Sequence, residues 1–382
     1  MKVAVLGFGT VGKGIYDMLR TSSLLDAGPV LVRAGKVDAE YKVDSIEAIC
    51  ADESVDAVAE AMGGVDMAYA CARQVISAGK HFVTSNKALV AARGIELAAL
   101  ARENGVGFLF SAACGGAVPF LHNLELARQN DEILSLGGIL NGTTNYMLDM
   151  MQTNAVDYDA ALKDAQALGY AEADPTADVS GLDALRKIML ACAVAYDMLP
   201  DGGLCSEGID SLRAHDVEDI KRRGLTCRLL ARGGRNEDGS VYAFVQPVLL
   251  PSDAPECAVK KNFNMAKYLG RNSGQIVLMG QGAGRYPTAS AVIRDIECLV
   301  HGQREMMHAP CRSVEADNAH AMCKYYVRMP LALKDKIACE SVQEDGAFVR
   351  AVTAPISVLA MHELVRGLRR GGAEVFFAEL AE

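Results

Sequence analysis

The stretch Lys2-Val3-Ala4-Val5-Leu6-Gly7-Phe8-Gly9-Thr10-Val11-Gly12 decides the fold. Residues 2–6 form a short β-branched apolar run, the composition of a buried strand, and from residue 14 to 21 the apolar side chains return at helical spacing. Between the two lies a G-x-G-x-x-G. In this position the first glycine permits a tight turn, the second lets a pyrophosphate approach the backbone, and the third lets the helix pack closely on the strand. An isolated triplet would describe an ordinary turn as readily. The strand before it and the helix after it favour a dinucleotide site at Gly7, Phe8, Gly9, Thr10, Val11 and Gly12.

Outward from this unit, strand-like runs at 30–32, 55–59, 81–84 and 107–110 alternate with helical spacing at 68–77 and 89–104. Such alternation predicts an α/β fold, a parallel Rossmann sheet with helices on both faces. From about residue 132 the pattern changes to a strand at 133–140, helices beginning near Tyr146, Tyr158 and Leu182, and strands at 241–250 and 275–278. This is the mixture of an α+β domain. A helix over 288–300 is expected to return to the first domain. The tail reads strand 325–329, helix 331–338, strand 348–353, helix 358–369, strand 373–378, a small α+β module. The expected boundaries are a dinucleotide-binding domain over 1–125 completed by 285–320, an α+β domain over 126–284, and the tail over 324–382.

Composition excludes several functions. Of 382 residues, 51% are apolar and 23% charged, which is the make-up of a globular protein large enough for more than one core. The 48 acidic residues against 38 basic ones leave a formal charge of −10, and no basic run is long enough to follow a phosphate backbone, so neither nucleic acid nor an anionic membrane is an expected partner. The longest apolar run, 188–196, falls far short of the ~20 residues that cross a bilayer. Eleven cysteines are scattered without a C-x-x-C pair, as in a cytoplasmic protein with reduced thiols, and no zinc-type cluster is implied.

Two further positions carry chemistry. Arg33 stands at the end of the second strand, where an acidic residue would hold the ribose of NAD; an arginine there suits the 2′-phosphate of NADP, and the alternative is a solvated arginine with Asp38 and Glu40 nearby. Asp183 and Lys187 lie four residues apart, on one face of a helix. Spacing alone favours an exposed ion pair of small energetic value, although the apolar run after Lys187 points to a buried face.

The segment from Leu168 to Lys187, LGYAEADPTADVSGLDALRK, closely resembles the signature of the homoserine dehydrogenases. GGILNGTTNY from Gly137, VTSNKAL from Val83 and GQGAGRYPTASAV from Gly280 resemble the same family in order, so the resemblance covers nearly the whole chain. It implies interconversion of L-aspartate 4-semialdehyde and L-homoserine with NADP or NAD, of which Arg33 favours NADP, and a homodimer through the catalytic domain. Lys187 matches the lysine assigned to proton donation, which desolvation would assist by lowering its pKa. Asp183 and Glu172 match residues that hold the substrate, with Asp178 and Thr143 as secondary contacts. Lys87, after Ser85 and Asn86 in a turn at the carboxyl end of the sheet, matches a lysine that faces cofactor and substrate. Ser85, Glu172, Gly169 and Gly284 match cofactor positions, the glycines where backbone approaches the nicotinamide end.

Two departures follow. Serine at 111 stands where the family has a glutamate that helps bind a monovalent cation, sodium or potassium; the carbonyls of Cys114, Gly116 and Val118 remain as hard oxygen ligands, with lower affinity expected. The tail resembles an ACT module that lacks the effector loop after its first strand, with its first helix and next strand shortened, so weak response to L-threonine is expected. A catalytically weak amino-acid or cofactor sensor on the same fold is the alternative, and the retained Lys187, Asp183, Glu172 and Lys87 weigh against it.

Overall fold

Val3, Ala4, Val5 and Leu6 are fully buried, and the strand they form stands near the middle of a parallel sheet. A computed structural model describes residues 1–32, 41–308 and 311–381. The chain divides into two compact units, one of Met1–Ile133, Met189–Leu199 and Gly270–Ser313, the other of Leu134–Ile188, Pro200–Leu269 and Val314–Glu382.

In the first unit, β1 (Lys2–Leu6), β2 (Asp26–Leu31), β3 (Lys42–Val43), β4 (Ala57–Glu60), β5 (His81–Thr84) and β6 (Phe108–Leu109) alternate with α1 (Thr10–Leu19), α2 (Ile46–Ala51), α3 (Asp66–Ser77) and α4 (Lys87–Glu103). The strands run parallel in the order β3-β2-β1-β4-β5-β6, so the winding reverses between β1 and β4. Ligands of open α/β sheets bind outside the carboxyl ends at such a reversal. The helix Arg285–Val300 belongs to this unit: a Cβ on Gly14 of α1 would come within 2.9 Å of the Arg285 carbonyl and 3.1 Å of the Ala289 side chain. That close approach explains the glycine.

The second unit is built on a long mixed sheet. Phe263–Gly270, Ile133–Ile139, Leu225–Arg235, Val241–Pro251, Phe376–Leu380, Met322–Pro330, Phe348–Thr353 and Cys339–Asp345 follow one another across it. The tail is therefore continuous with the rest of the unit: Phe376–Leu380 pairs parallel with Val241–Pro251 on one side and antiparallel with Met322–Pro330 on the other. Its four strands take the order of a split βαββαβ fold in which the first helix is reduced to the 3-10 segment Leu331–Lys336. The following strand is not shortened, contrary to the sequence expectation. Cys339–Asp345 pairs along Phe348–Thr353 and is polar because, from Glu340 to Asp345, every residue is exposed.

One tail face buries Tyr325, Val327, Met329, Val349 and Phe377 beneath Met361 and Val365 of the helix Val358–Arg370. The other carries charge inward. Arg328, with no exposed surface, donates from Nε to Asp216 (2.8 Å) and from Nη2 to the Ser211 carbonyl (3.1 Å), and Asp219 takes Tyr326 Oη at 3.1 Å and Arg223 Nε at 2.8 Å. No helix among the described residues is long and apolar enough to cross a membrane.

Candidate active site

The glycine turn has the geometry its sequence calls for. Gly7 has φ of +91°, and a Cβ there would lie 2.8 Å from the Ala61 carbonyl. A Cβ on Gly12 would meet the Gly7 carbonyl at 2.0 Å, so no larger residue fits. Beside Gly9 there is open space. The first turn of α1 has neither an acidic residue nor a side-chain cap, leaving its backbone N–H groups and the positive end of the helix to an anion. Phe8 sits against Tyr16 and Tyr41, with the Lys13 ammonium over its ring. Arg33, with Asp38 and Glu40, lies outside the described residues.

At the carboxyl ends of β4 and β5 the loops are tied by Glu60, which reading the sequence missed. Its buried carboxylate accepts from Thr84 Oγ1 (2.5 Å) and from the Met62 amide (2.6 Å), and burial pushes its pKa up against those hydrogen bonds. Thr84 Oγ1 takes the Asn86 amide at 2.9 Å, while Asn86 caps α4 at Leu89 N (3.1 Å) and reaches the Gly64 carbonyl (2.6 Å). Ser85 and Lys87 flank this cap. Lys87 is the first residue of α4, where a cation opposes the helix dipole.

In the second unit a buried polar cluster brings most of the remaining candidates together. After Ile133–Ile139 the chain turns at Leu140 and Asn141 into the helix Gly142–Asn154, which Asn141 caps by accepting from Thr144 N at 2.8 Å. With its oxygen committed there, the Asn141 amide nitrogen donates to Asp178 Oδ1 (2.7 Å) and Asp183 Oδ2 (2.9 Å). Asp183 and Lys187 lie on Leu182–Tyr196 and are 5% and 7% exposed, so the solvated-pair reading of their spacing is wrong. Lys187 Nζ stands 2.8 Å from Asp183 Oδ2 and donates to the Leu140 carbonyl at 2.6 Å, which also accepts from Asn264 Nδ2 at 3.0 Å. Thr143 Oγ1 lies 2.7 Å from the Tyr170 carbonyl and 3.1 Å from Asp178 Oδ2. Burial, followed by the charge of Asp183, raises the Asp178 pKa.

Two carboxylates and one ammonium in this cluster leave an excess of one negative charge, suited to a cationic ligand group. Asn141 and Asn264 were not anticipated. Their partners lie far away in sequence, and only Asn141, inside the GGILNGTTNY string, carried any signal. Glu172 stands apart: it is exposed, and among the described residues its side chain makes no hydrogen bond or ion pair, only its carbonyl accepting from Gln166. Gly169 ends the helix Tyr158–Ala167 with φ of +74°, and Gly284 precedes Arg285–Val300 with φ of +124°. Both need glycine for the backbone alone.

Comparison with known proteins identifies the family. Residues 7–111 match the model of the homoserine dehydrogenase NAD binding domain and residues 119–296 that of homoserine dehydrogenase. The homoserine dehydrogenase of Corynebacterium glutamicum is 38% identical across 92% of this chain and 85% of its own length, and that of Mycobacterium tuberculosis 35% identical across 98% and 89%. Among solved structures, the Thiobacillus denitrificans homoserine dehydrogenase superimposes with a TM-score of 0.85 at 28% identity, covering 100% of this chain and 98% of that one. A hyperthermophilic archaeal homoserine dehydrogenase mutant, in complex with NADPH, covers 79% of this chain and 98% of its own at 25% identity and a TM-score of 0.68. With a dinucleotide turn at the reversal of a parallel sheet and a buried lysine–aspartate pair on the signature helix, the chain belongs to the homoserine dehydrogenase family of NAD(P)-dependent oxidoreductases.

Proposed function

We propose that this chain interconverts L-aspartate 4-semialdehyde and L-homoserine, with Lys187 as proton donor. The buried Asp183–Lys187 pair carries the reading. The nicotinamide supplies or accepts the hydride. As the aldehyde carbon is reduced, its oxygen gathers charge, and the Lys187 ammonium gives it a proton; Asp183 and the Leu140 carbonyl hold Nζ in place. The carboxylates of Asp183 and Asp178 meet the substrate's α-ammonium group, with the Thr143 hydroxyl beside them and Glu172 reaching in from outside the buried cluster, while Lys87 serves cofactor and substrate. Ser85, Gly169, Glu172, Gly284 and the turn from Gly7 to Gly12 take the cofactor, and Arg33 takes the 2′-phosphate, so NADP is preferred to NAD.

Residues 1–125 completed by 285–320 are assigned to cofactor binding, 126–284 to catalysis and homodimer formation, and 324–382 to a degenerate ACT-like tail. The protein works in the cytoplasm, in keeping with eleven cysteines of which none is in a disulfide.

Following oxidation of NADPH and of NADH with aspartate semialdehyde tests the reading directly. Turnover with both is expected, NADPH binding more tightly, and Arg33→Ala is expected to weaken NADPH more than NADH. No turnover with this aldehyde would refute the activity, and equal losses would reduce Arg33 to a structural role.

The same assay reaches the tail. Because Met322–Pro330 passes at Pro330 directly into a 3-10 segment, the loop whose backbone groups would grip an amino-acid effector is missing, and L-threonine is expected not to inhibit strongly. Clear inhibition at low millimolar concentrations would show a site surviving elsewhere.

A further inference from the structure

The resemblance implies a monovalent cation at residues 111–118, and the residues present do not fit one. Where the charged ligand is expected, Ser111 turns to a carboxylate already in use: its Oγ donates to Asp295 Oδ1 at 2.5 Å and its amide to Asp295 Oδ2 at 2.8 Å. His122 Nε2 meets Asp295 Oδ1 at 2.7 Å. Asp295 has no exposed surface, so both of its oxygens are committed within the protein.

Of the three carbonyls that would hold the ion, that of Val118 is engaged, as are others beside it. Those of Ser111, Gly115 and Val118 accept from the amides of Cys114 (3.1 Å), Val118 (2.9 Å) and Phe120 (2.8 Å). The Ala117 carbonyl accepts from Arg294 Nη2 at 3.3 Å, and the other terminal nitrogen, Nη1, is buried without a hydrogen-bond partner among the described residues. Gly116 is pressed against the backbone of 281–282, where an added Cβ would lie 2.6 Å from the Gly282 carbonyl. A sodium or potassium ion needs several hard oxygens and is held better when one is charged. This segment offers neutral carbonyls beside a guanidinium of the same sign as the ion.

We infer that the chain neither binds nor needs a monovalent cation here: Asp295 with His122 anchors the start of the segment, and the Arg294 guanidinium supplies the positive charge at its loop. The inference concerns this segment alone, and its readout is unfolding, so it stands or falls separately from the proposed activity.

Thermal unfolding of the full chain in sodium, potassium and choline chloride at equal ionic strength provides the test. The same Tm in all three, within about 1 °C, is expected, because an ion that binds only the native state would raise it. A saturable rise specific to sodium or potassium overturns the inference. Arg294→Ala is expected to lower Tm in choline and to regain part of the loss in sodium or potassium. An unchanged Tm, or a loss that neither ion restores, overturns the assignment of the positive charge to Arg294.

Discussion

Lys187→Met is expected to lower kcat by ~10²-fold or more while leaving NADPH binding nearly intact. The methionine fills much of the volume and removes both the proton and the charge. It also leaves Asp183 beside Asp178 without its ammonium, so some stability is lost with the activity. Lys187→Arg separates the two effects. A guanidinium keeps the charge opposite Asp183, yet does not release its proton at any working pH. Both variants should be slow, but only the methionine should be markedly less stable. Near-normal turnover by Lys187→Met, measured with cofactor binding checked by fluorescence titration, would sink the assignment.

The largest effect on stability is expected at Asp216, outside the Lys187 cluster. Asp216 and Arg328 both have no exposed surface and are paired at 2.8 Å, and Asp216 also accepts the Arg213 amide at 3.0 Å at the start of the helix Ala214–Arg222. Asp216→Ala leaves the buried guanidinium only the Ser211 carbonyl and, at 3.4 Å, the exposed Glu374 carboxylate, with Nη1 already lacking a hydrogen-bond partner, and a loss of ~3–5 kcal/mol is expected, as for other broken buried pairs. Removing both charges should be far milder. In Arg328→Met with Asp216→Asn, the cap acceptor remains and no charge is left unpaired, so most of the loss should be recovered. Denaturant unfolding of the single and double variants decides it: less than about 1 kcal/mol for Asp216→Ala would place the pair among those that solvent compensates.

Much of the first unit was legible in the sequence because its signals are local. His81–Thr84 is a strand over the residues its apolar run marks, and the glycine turn carries its geometry in consecutive residues. The short β3 and α2 between residues 42 and 51 gave too few periods to detect. The strand Leu225–Arg235 was hidden by its own contents: it contains Arg228, which is buried, and Gly233 and Gly234, so it reads as a loop. Cys339–Asp345 was hidden for the opposite reason, since a strand at the edge with exposed faces needs no apolar alternation.

The candidate site divides in the same way. Asp183 and Lys187 were visible by spacing, but their burial was not, because the atoms that bury and hold them come from residues 140, 141 and 264. Glu172 was placed by resemblance alone, and its exposed side chain joins no part of the cluster.

The insertion of Phe376–Leu380 between Val241–Pro251 and Met322–Pro330 also bears on how the chain reaches this state. As the chain emerges during synthesis, Val241–Pro251 precedes its neighbour Phe376–Leu380 by a long stretch of sequence and must wait for it. Until then the backbone groups of Val248 and Leu249 on that side, which finally face Glu379 and Leu380, form an open strand edge. Such late, non-local pairing folds slowly and leaves a surface on which a second nascent chain can add a strand. Closing this edge therefore requires Phe376–Leu380 to reach Val241–Pro251 before a strand of another chain does.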